Sequence, residues 1–240
     1  MPAVPFIQYI LVFLILAFSA LIQGSVGFGS ALFAAPLLVL INSQYVPGPL
    51  LCALILLNPL ITLRERSAIE ITGLWTSILG LAIGTVPALA LINRIPSSKF
   101  SLLFGCLILI AVILSLFGAR IKVNSLTLLL VGCIAGFMNT ISTISGPPMA
   151  LIYQQEKGAK IRGMLAGFFL IANIISLAGL IIKHQFSWQD LILFLPMIPG
   201  IISGFLLSSI IVTKLDQRNT RLIILLVAGI SAIVVILKHI

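Results

Sequence analysis

Charge is what this chain has least of. Of 240 residues only 5 are Asp or Glu and 14 are Lys or Arg, 8% charged in all, where a soluble domain carries about a quarter. So few charges cannot cover the surface of a water-soluble globule, and a soluble fold is excluded. Two His and three Cys without metal-ligand spacing give no zinc site and no disulfide framework. Phosphatase, prenyltransferase or intramembrane-protease chemistry needs paired carboxylates, a metal cluster or a Ser/His arrangement; with these few acids and imidazoles the chain is not expected to be an enzyme, and no cofactor is implied. No Lys or Arg precedes Arg64, so the apolar start lacks the positive n-region of a secretory signal, and residues 6 to 22 are expected to remain as a membrane pass. The net charge of +9 does not point to nucleic acid, because the basic residues form short clusters between apolar spans without interleaved aromatics.

What fills the sequence instead is apolar: 60% of it. Apolar runs of 16 to 22 residues lie at about 6 to 22, 46 to 63, 71 to 92, 100 to 118, 163 to 182, 191 to 212 and 222 to 237, the length that spans roughly 30 Å of hydrocarbon as helix. Polar loops such as RERSAIE, NRIPSSK and TKLDQRN separate them. Two stretches, 23 to 42 and 125 to 155, break the pattern: each has a run of Gly, Ser, Thr or Asn ending in Pro, then a short apolar piece.

Loop charges bear on how these stretches fold, since cytoplasmic loops collect Lys and Arg. If 125 to 155 dips in and returns to its starting side, Arg64, Arg66, Arg120, Lys122, Lys157, Lys160, Arg162, Lys214, Arg218 and Arg221 share one side, and only Arg94, Lys99, Lys183 and Lys238 lie opposite. A single crossing spreads them almost evenly, so the hairpin is preferred. An internal repeat extends the argument to the first stretch. Gly24 and Pro36 stand 112 residues before Gly136 and Pro148, and Gly80 and Gly84 stand 120 before Gly200 and Gly204. The expected fold is therefore an all-α polytopic membrane protein, one transmembrane domain over 1–240 with pseudo-repeats 1–120 and 125–240. Each half has a broken or re-entrant helical hairpin and three full transmembrane helices. Five traverses put a half's ends on opposite sides, so the halves run inverted, as in many secondary transporters. Both termini are then expected outside and the larger basic set in the cytoplasm.

Unwound backbone at membrane depth survives only where protein encloses it or it lines a cavity, which makes the two Gly/Ser/Thr stretches the candidate sites. In the first, Gln23, Gly24, Ser25, Gly27, Gly29 and Ser30 offer a tight turn, bare amides and hydroxyl donors. In the second, Asn139, Thr140, Ser142, Thr143, Ser145 and Gly146 lead into Pro147 and Pro148. Proline suits the first helical turn, so helices beginning near Pro36 and Pro148 would aim their positive ends into the membrane and attract anions. No ionisable residue sits near the middle of a span, which favours an anion site of amides and hydroxyls over a cation site, for which carboxylates are wanted. The competing reading is that Gly and Ser only allow tight helix crossings, as the GxxxG pairs at 80/84 and 200/204 do. Asn58 and Asn173, 115 residues apart inside spans, either complete the site or hydrogen-bond between helices. Trp75 and Trp188 suit an interfacial belt.

At the two bends the chain resembles the sulfite exporter TauE/SafE family. GSVGFGSALFAAPLL is similar to that family's first-half glycine motif and GFMNTISTISGPPMALIY to its second-half counterpart, and the likeness continues through NRIPSSKFSLLFG and TKLDQRNTRLIIL. The resemblance implies a multi-pass protein of the bacterial cytoplasmic membrane that moves small anions such as sulfite, sulfonates or related organic anions by alternating access. Its expected partners are the anionic substrate and the lipid bilayer, with no nucleic acid; a homo-oligomer stays open. An anion channel on the same scaffold and a non-transporting assembly subunit are the alternatives.

Overall fold

The computed structural model of the protein describes residues 6–69, 74–92, 94, 97–117, 123–153, 156, 158–212 and 217–238. Among the described residues there is no strand. The helices are α1 (Phe6–Val26), α2 (Ser30–Ile41), α3 (Gly48–Arg64), α4 (Leu74–Ile92), α5 (Ser97–Phe117), α6 (Ser125–Ser142), α7 (Gly146–Ile152), α8 (Ala159–Ile182), α9 (Trp188–Phe194), α10 (Ile198–Ile211) and α11 (Gln217–Lys238). Among the described residues, five stretches are long and apolar enough to cross a membrane: Ile7–Val26, Leu74–Ile92, Ser125–Ser142, Ala159–Ile182 and Trp188–Ile211. The last of these carries a 3-10 turn at Leu195–Met197, between α9 and α10, with Pro196 inside it. Helix α3 is shorter, at 17 residues. Arg120, Lys122, Lys157 and Lys214 of the basic set lie outside the described residues.

Both expected interruptions are present, with their positions shifted. Helix α1 runs on through Gln23, Gly24 and Ser25 to Val26, and the chain breaks at Gly27 (φ 100°) and Gly29 (φ 103°), a left-handed backbone that glycine adopts without steric cost. It then turns back: the Ser30 hydroxyl donates to the Ser19 hydroxyl at 3.1 Å, and Phe33 stacks on Phe18 with centroids 6.5 Å apart. Because the left-handed Gly29 starts the helix, Pro36 falls inside α2 and not at its first turn. The proline there removes one intrahelical bond, which a protein-enclosed membrane helix tolerates. In the second half the first limb, α6, is full-length. It ends at Thr143 (φ 60°), whose amide N–H donates to the Asn139 carbonyl at 2.7 Å, and α7 begins with Pro147 and Pro148 in its first turn, as the proline rule anticipates.

Helix packing pairs the two halves. α4 packs on α6 and α1 on α10, α3 on α8, and α5 on α11. The first two of these contacts are backbone on backbone. Gly80 and Gly84 face the Leu129 and Cys133 carbonyls; Gly200 and Gly204 face those of Phe13 and Ala17. In lipid there is no hydrophobic force between helices, so close approach through small residues takes its place. Helix α4 shows the consequence: Ser77, Gly80, Gly84 and Ala88 are buried, while Leu79, Ile83 and Val86 are exposed on the lipid side.

These contacts also revise the internal correspondence. Positions 13 and 17 stand 116 residues before 129 and 133, and the left-handed Gly27 stands 116 before the left-handed Thr143. Matching Gly24 to Gly136 and Pro36 to Pro148 at a spacing of 112 is one helical turn out of register, because an α-helix repeats its facing every three to four residues and identical glycines one turn apart align equally well.

Candidate functional site

The two breaks meet. A Cβ at Gly146 would lie 3.5 Å from Phe28 Cβ, so the residue between the first-bend glycines touches the start of α7. Beside this contact lies a small cavity bounded by Gln23, Gly29, Asn58, Thr143, Ser145, Gly146, Pro147 and Asn173, with Leu32, Leu54 and Phe169 among its apolar walls. Measured by where the centre of a water-sized sphere fits, its volume is about 20 Å³, a little above the roughly 10–15 Å³ that one water needs.

Its polar chemistry is set by two matched amide pairs. Gln23 Nε2 donates to Asn58 Oδ1 at 2.5 Å, and Asn139 Nδ2 donates to Asn173 Oδ1 at 3.1 Å. Gln23 and Asn139 are 116 residues apart, and Asn58 and Asn173 are 115 apart. In each pair the asparagine bordering the cavity has its carbonyl oxygen occupied, while its Nδ2 is buried with no partner. A buried unsatisfied donor costs about 1–3 kcal/mol. Two such amide donors, Asn58 Nδ2 and Asn173 Nδ2, belong to residues that border this cavity, while the Ser25, Tyr45, Ser77 and Tyr153 hydroxyls and Asn139 Oδ1 are also buried without a partner; among the described residues no carboxylate borders the cavity. An acceptor-rich guest would satisfy both groups.

Most of the other sequence-predicted residues sit behind the cavity wall, which Thr143 itself borders. Asn139 also donates to Ser176 Oγ at 3.0 Å. Thr140 Oγ1 donates to the Gly136 carbonyl (2.9 Å) and lies 3.0 Å from Ser176 Oγ and 3.3 Å from Thr85 Oγ1. Together these fix the Asn139 amide and through it Asn173. Ser142 donates to the Met138 carbonyl at 2.8 Å, and Thr143 Oγ1 to the Ser142 carbonyl at 2.5 Å, so both hydroxyl protons are used within the bend. Ser25 Oγ is buried without a partner, and Gly24 and Gly27 serve close packing against Ser208 and Arg162. The GxxxG pairs act in packing, away from the cavity.

Sequence reasoning missed a buried ionic triad. Glu65 Oε1 accepts from Arg64 Nε and from Arg162 Nε, each at 2.9 Å, and Glu65 and Arg162 are only 7% and 9% exposed. All three stand at helix ends beside loops, where such residues are ordinarily solvated. Their pairing spans 97 positions, which no local pattern reveals. Ser176 and Thr85 were likewise missed, as small polar residues inside apolar helices. Among the described residues no group of His, Cys, Asp and Glu could hold a metal ion.

A family model described as Sulfite exporter TauE/SafE matches residues 12–235, nearly the whole chain. No curated protein and no solved structure matches significantly.

Proposed function

The chain belongs to the sulfite exporter TauE/SafE family of multi-pass membrane transport proteins, and from that premise we propose that it carries a small oxyanion, sulfite or a related sulfonate, through the cavity between its two bends by alternating access. One observation carries the reading: Asn58 and Asn173 each border the cavity with a buried, unpartnered Nδ2, their oxygens having been taken up by Gln23 and Asn139. Two unpartnered neutral donors on residues of the cavity wall suit a guest that accepts hydrogen bonds, and the absence of any bordering carboxylate among the described residues favours a negative one. Ser145, Gly146 and the start of α7 lie on the same wall.

The cavity's size supports alternation. With room for little more than one water, it cannot admit a four-heavy-atom anion unless the bends part, and parting on one face at a time is what inverted halves permit. The α3–α8 pair lies at the centre of this scheme, since each helix supplies one of the two asparagines. The arginine-bearing face, with Arg64 and Arg162, is the cytoplasmic one by the charge bias of the loops. The membrane is the bacterial cytoplasmic membrane, and the protein performs no chemistry on its cargo.

The test is flux of labelled sulfite in proteoliposomes. Flux above that of empty vesicles, accelerated by unlabelled sulfite on the opposite side and lost in Asn58→Leu/Asn173→Leu, supports the proposal. Flux unchanged by the double substitution overturns the site, and flux without counterflow converts the carrier into a channel.

A further inference from the structure

The Arg64–Glu65–Arg162 triad carries two cations and one carboxylate, with Glu65 and Arg162 buried and Arg64 partly so. Among the described residues no second carboxylate pairs with either guanidinium, and an uncompensated buried charge is costly unless something answers it. The two arginines are used differently. Arg64 is fully committed: Nη1 donates to Ser208 Oγ at 2.9 Å and Ser209 Oγ at 3.2 Å, Nη2 donates to the Gly24 carbonyl, and the guanidinium lies 5.3 Å over the Phe205 ring. It ties the last turn of α1 to α3 and α10. Arg162 engages only its Nε, leaving both Nη nitrogens without a hydrogen-bond partner among the described residues. Such a planar fork matches two oxygens of an oxyanion.

The position is next to the cavity and on one face only. The Arg162 backbone lies directly on the first bend, its Cα 3.1 Å from where a Gly27 Cβ would stand. Arg64 is six residues beyond Asn58 on α3, about 9 Å along the helix. At the matching place in the other half, 115 residues on, stands Gly179, and a Cβ there would meet Leu89 Cδ1 at 2.5 Å. One end of the α3–α8 pair thus carries the two arginines and Glu65, whereas the other has Gly179 against Leu89 and Gly48 beside Asp190.

We infer that Glu65 is a tethered competitor for the transported anion: its carboxylate holds Arg162 Nε and offsets the guanidinium's charge, while an oxyanion arriving on the arginine-bearing face binds the two free Nη nitrogens against that offset, so that Arg162 sets affinity on that face as a specificity residue outside the cavity. Arg64 is the positioning residue that holds Glu65 and the first bend in place. The inference rests on the anion-transport reading.

The experiment uses the full chain with sodium sulfite as probe and sodium chloride at matched ionic strength as control. The sulfite concentration giving half-maximal thermal stabilisation is measured in detergent, and the half-saturating concentration for flux in proteoliposomes. Glu65→Gln keeps the shape and removes the competing charge. It should lower both constants by about three- to fifteenfold, the span of one unit-charge repulsion at about 10 Å between effective dielectrics of about 50 and 20. Arg162→Gln should raise them by at least as much. Arg64→Gln should lower thermal stability with little change in either constant. Should Glu65→Gln fail to fold, Glu65→Asp, whose shorter carboxylate reaches the guanidiniums less well, should shift the constants the same way to a smaller degree. Constants that move together in Glu65→Gln and Arg162→Gln, or stay still in both while the unaltered protein responds saturably, overturn this inference alone. No sulfite response in the unaltered protein or any variant overturns the transport reading and this inference with it.

Discussion

Replacing Asn58 by Asp changes one nitrogen to oxygen and tests whether the cavity is built for anions. The substitution is nearly isosteric, and Gln23 Nε2, now 2.5 Å from Asn58 Oδ1, can still donate to the new side chain, so the local fold has no reason to fail. What changes is the group facing the guest: an unpartnered N–H donor becomes a carboxylate. Two charges about 4 Å apart at an effective dielectric of about 20 interact by roughly 4 kcal/mol, about a thousandfold in affinity if the guest is an anion. Asn58→Leu deletes the donor, at a cost to the guest of about 1–3 kcal/mol, together with the Oδ1 that accepts from Gln23, and introduces no charge. The expected order of sulfite affinity, read from half-saturation of flux or of thermal stabilisation, is therefore Asn, then Leu, then Asp. An Asp variant that equals or exceeds the Leu variant at neutral pH would refute the argument and indicate a cation site.

Three further outcomes follow from packing and topology. Gly84→Ala and Gly204→Ala push a methyl into the Cys133 and Ala17 carbonyls, where only a whole helix can yield; each should lower stability by about 1–3 kcal/mol, toward the upper end, in thermal unfolding in detergent. Gly167→Ala, inside α8 with nothing within 4 Å of the added carbon, should instead stabilise by about 0.5–1 kcal/mol, and an equal loss in all three would contradict the packing account. Gly27→Ala meets both a φ of 100° and the Arg162 backbone, so it should cost about 1–3 kcal/mol from the backbone conformation alone and reduce flux with it. Single cysteines placed at Lys157 and Lys214 in a background lacking Cys52, Cys106 and Cys133 should react with a membrane-impermeant thiol reagent from the same side; opposite sides would break the inverted topology.

Much of this architecture is legible in the sequence because lipid allows few solutions. Span lengths, the scarcity of charge and the two polar interruptions are direct responses to a solvent that hydrates no backbone. What the sequence blurred is phase along a helix. Glycine and proline identities aligned the halves at 112 residues, whereas the left-handed turn is made by Gly27 in one half and by Thr143 in the other. Thr143 is a β-branched residue that no composition rule would place at a positive φ. Gln23 and Asn139 likewise share a role without sharing a residue type. Asn58 and Asn173 were found because an amide in lipid stands out, but which end of each amide faces the cavity depends on a partner 35 or 34 residues away. The triad was hidden for the opposite reason: charges beside loops are expected to be solvated, and only the tertiary fold buries Glu65 and Arg162.

Keeping formal charge out of the cavity while placing it about two to three helical turns along α3 and α8 suits a carrier better than a buried arginine at the site would. A guanidinium desolvated around its cargo gains most from a complete, bidentate pair, and breaking such a pair in the interior costs several kcal/mol, which would slow release. Two neutral amides bind less strongly and let go more readily. Transport demands that balance, since a site must attract its ion and then lose it. The attraction can be supplied at the threshold, where Arg162 keeps its own carboxylate once the anion moves on. On this reasoning Glu65 offsets one of the two arginine charges in the empty state, and the charge left over on Arg162 is what draws the next anion.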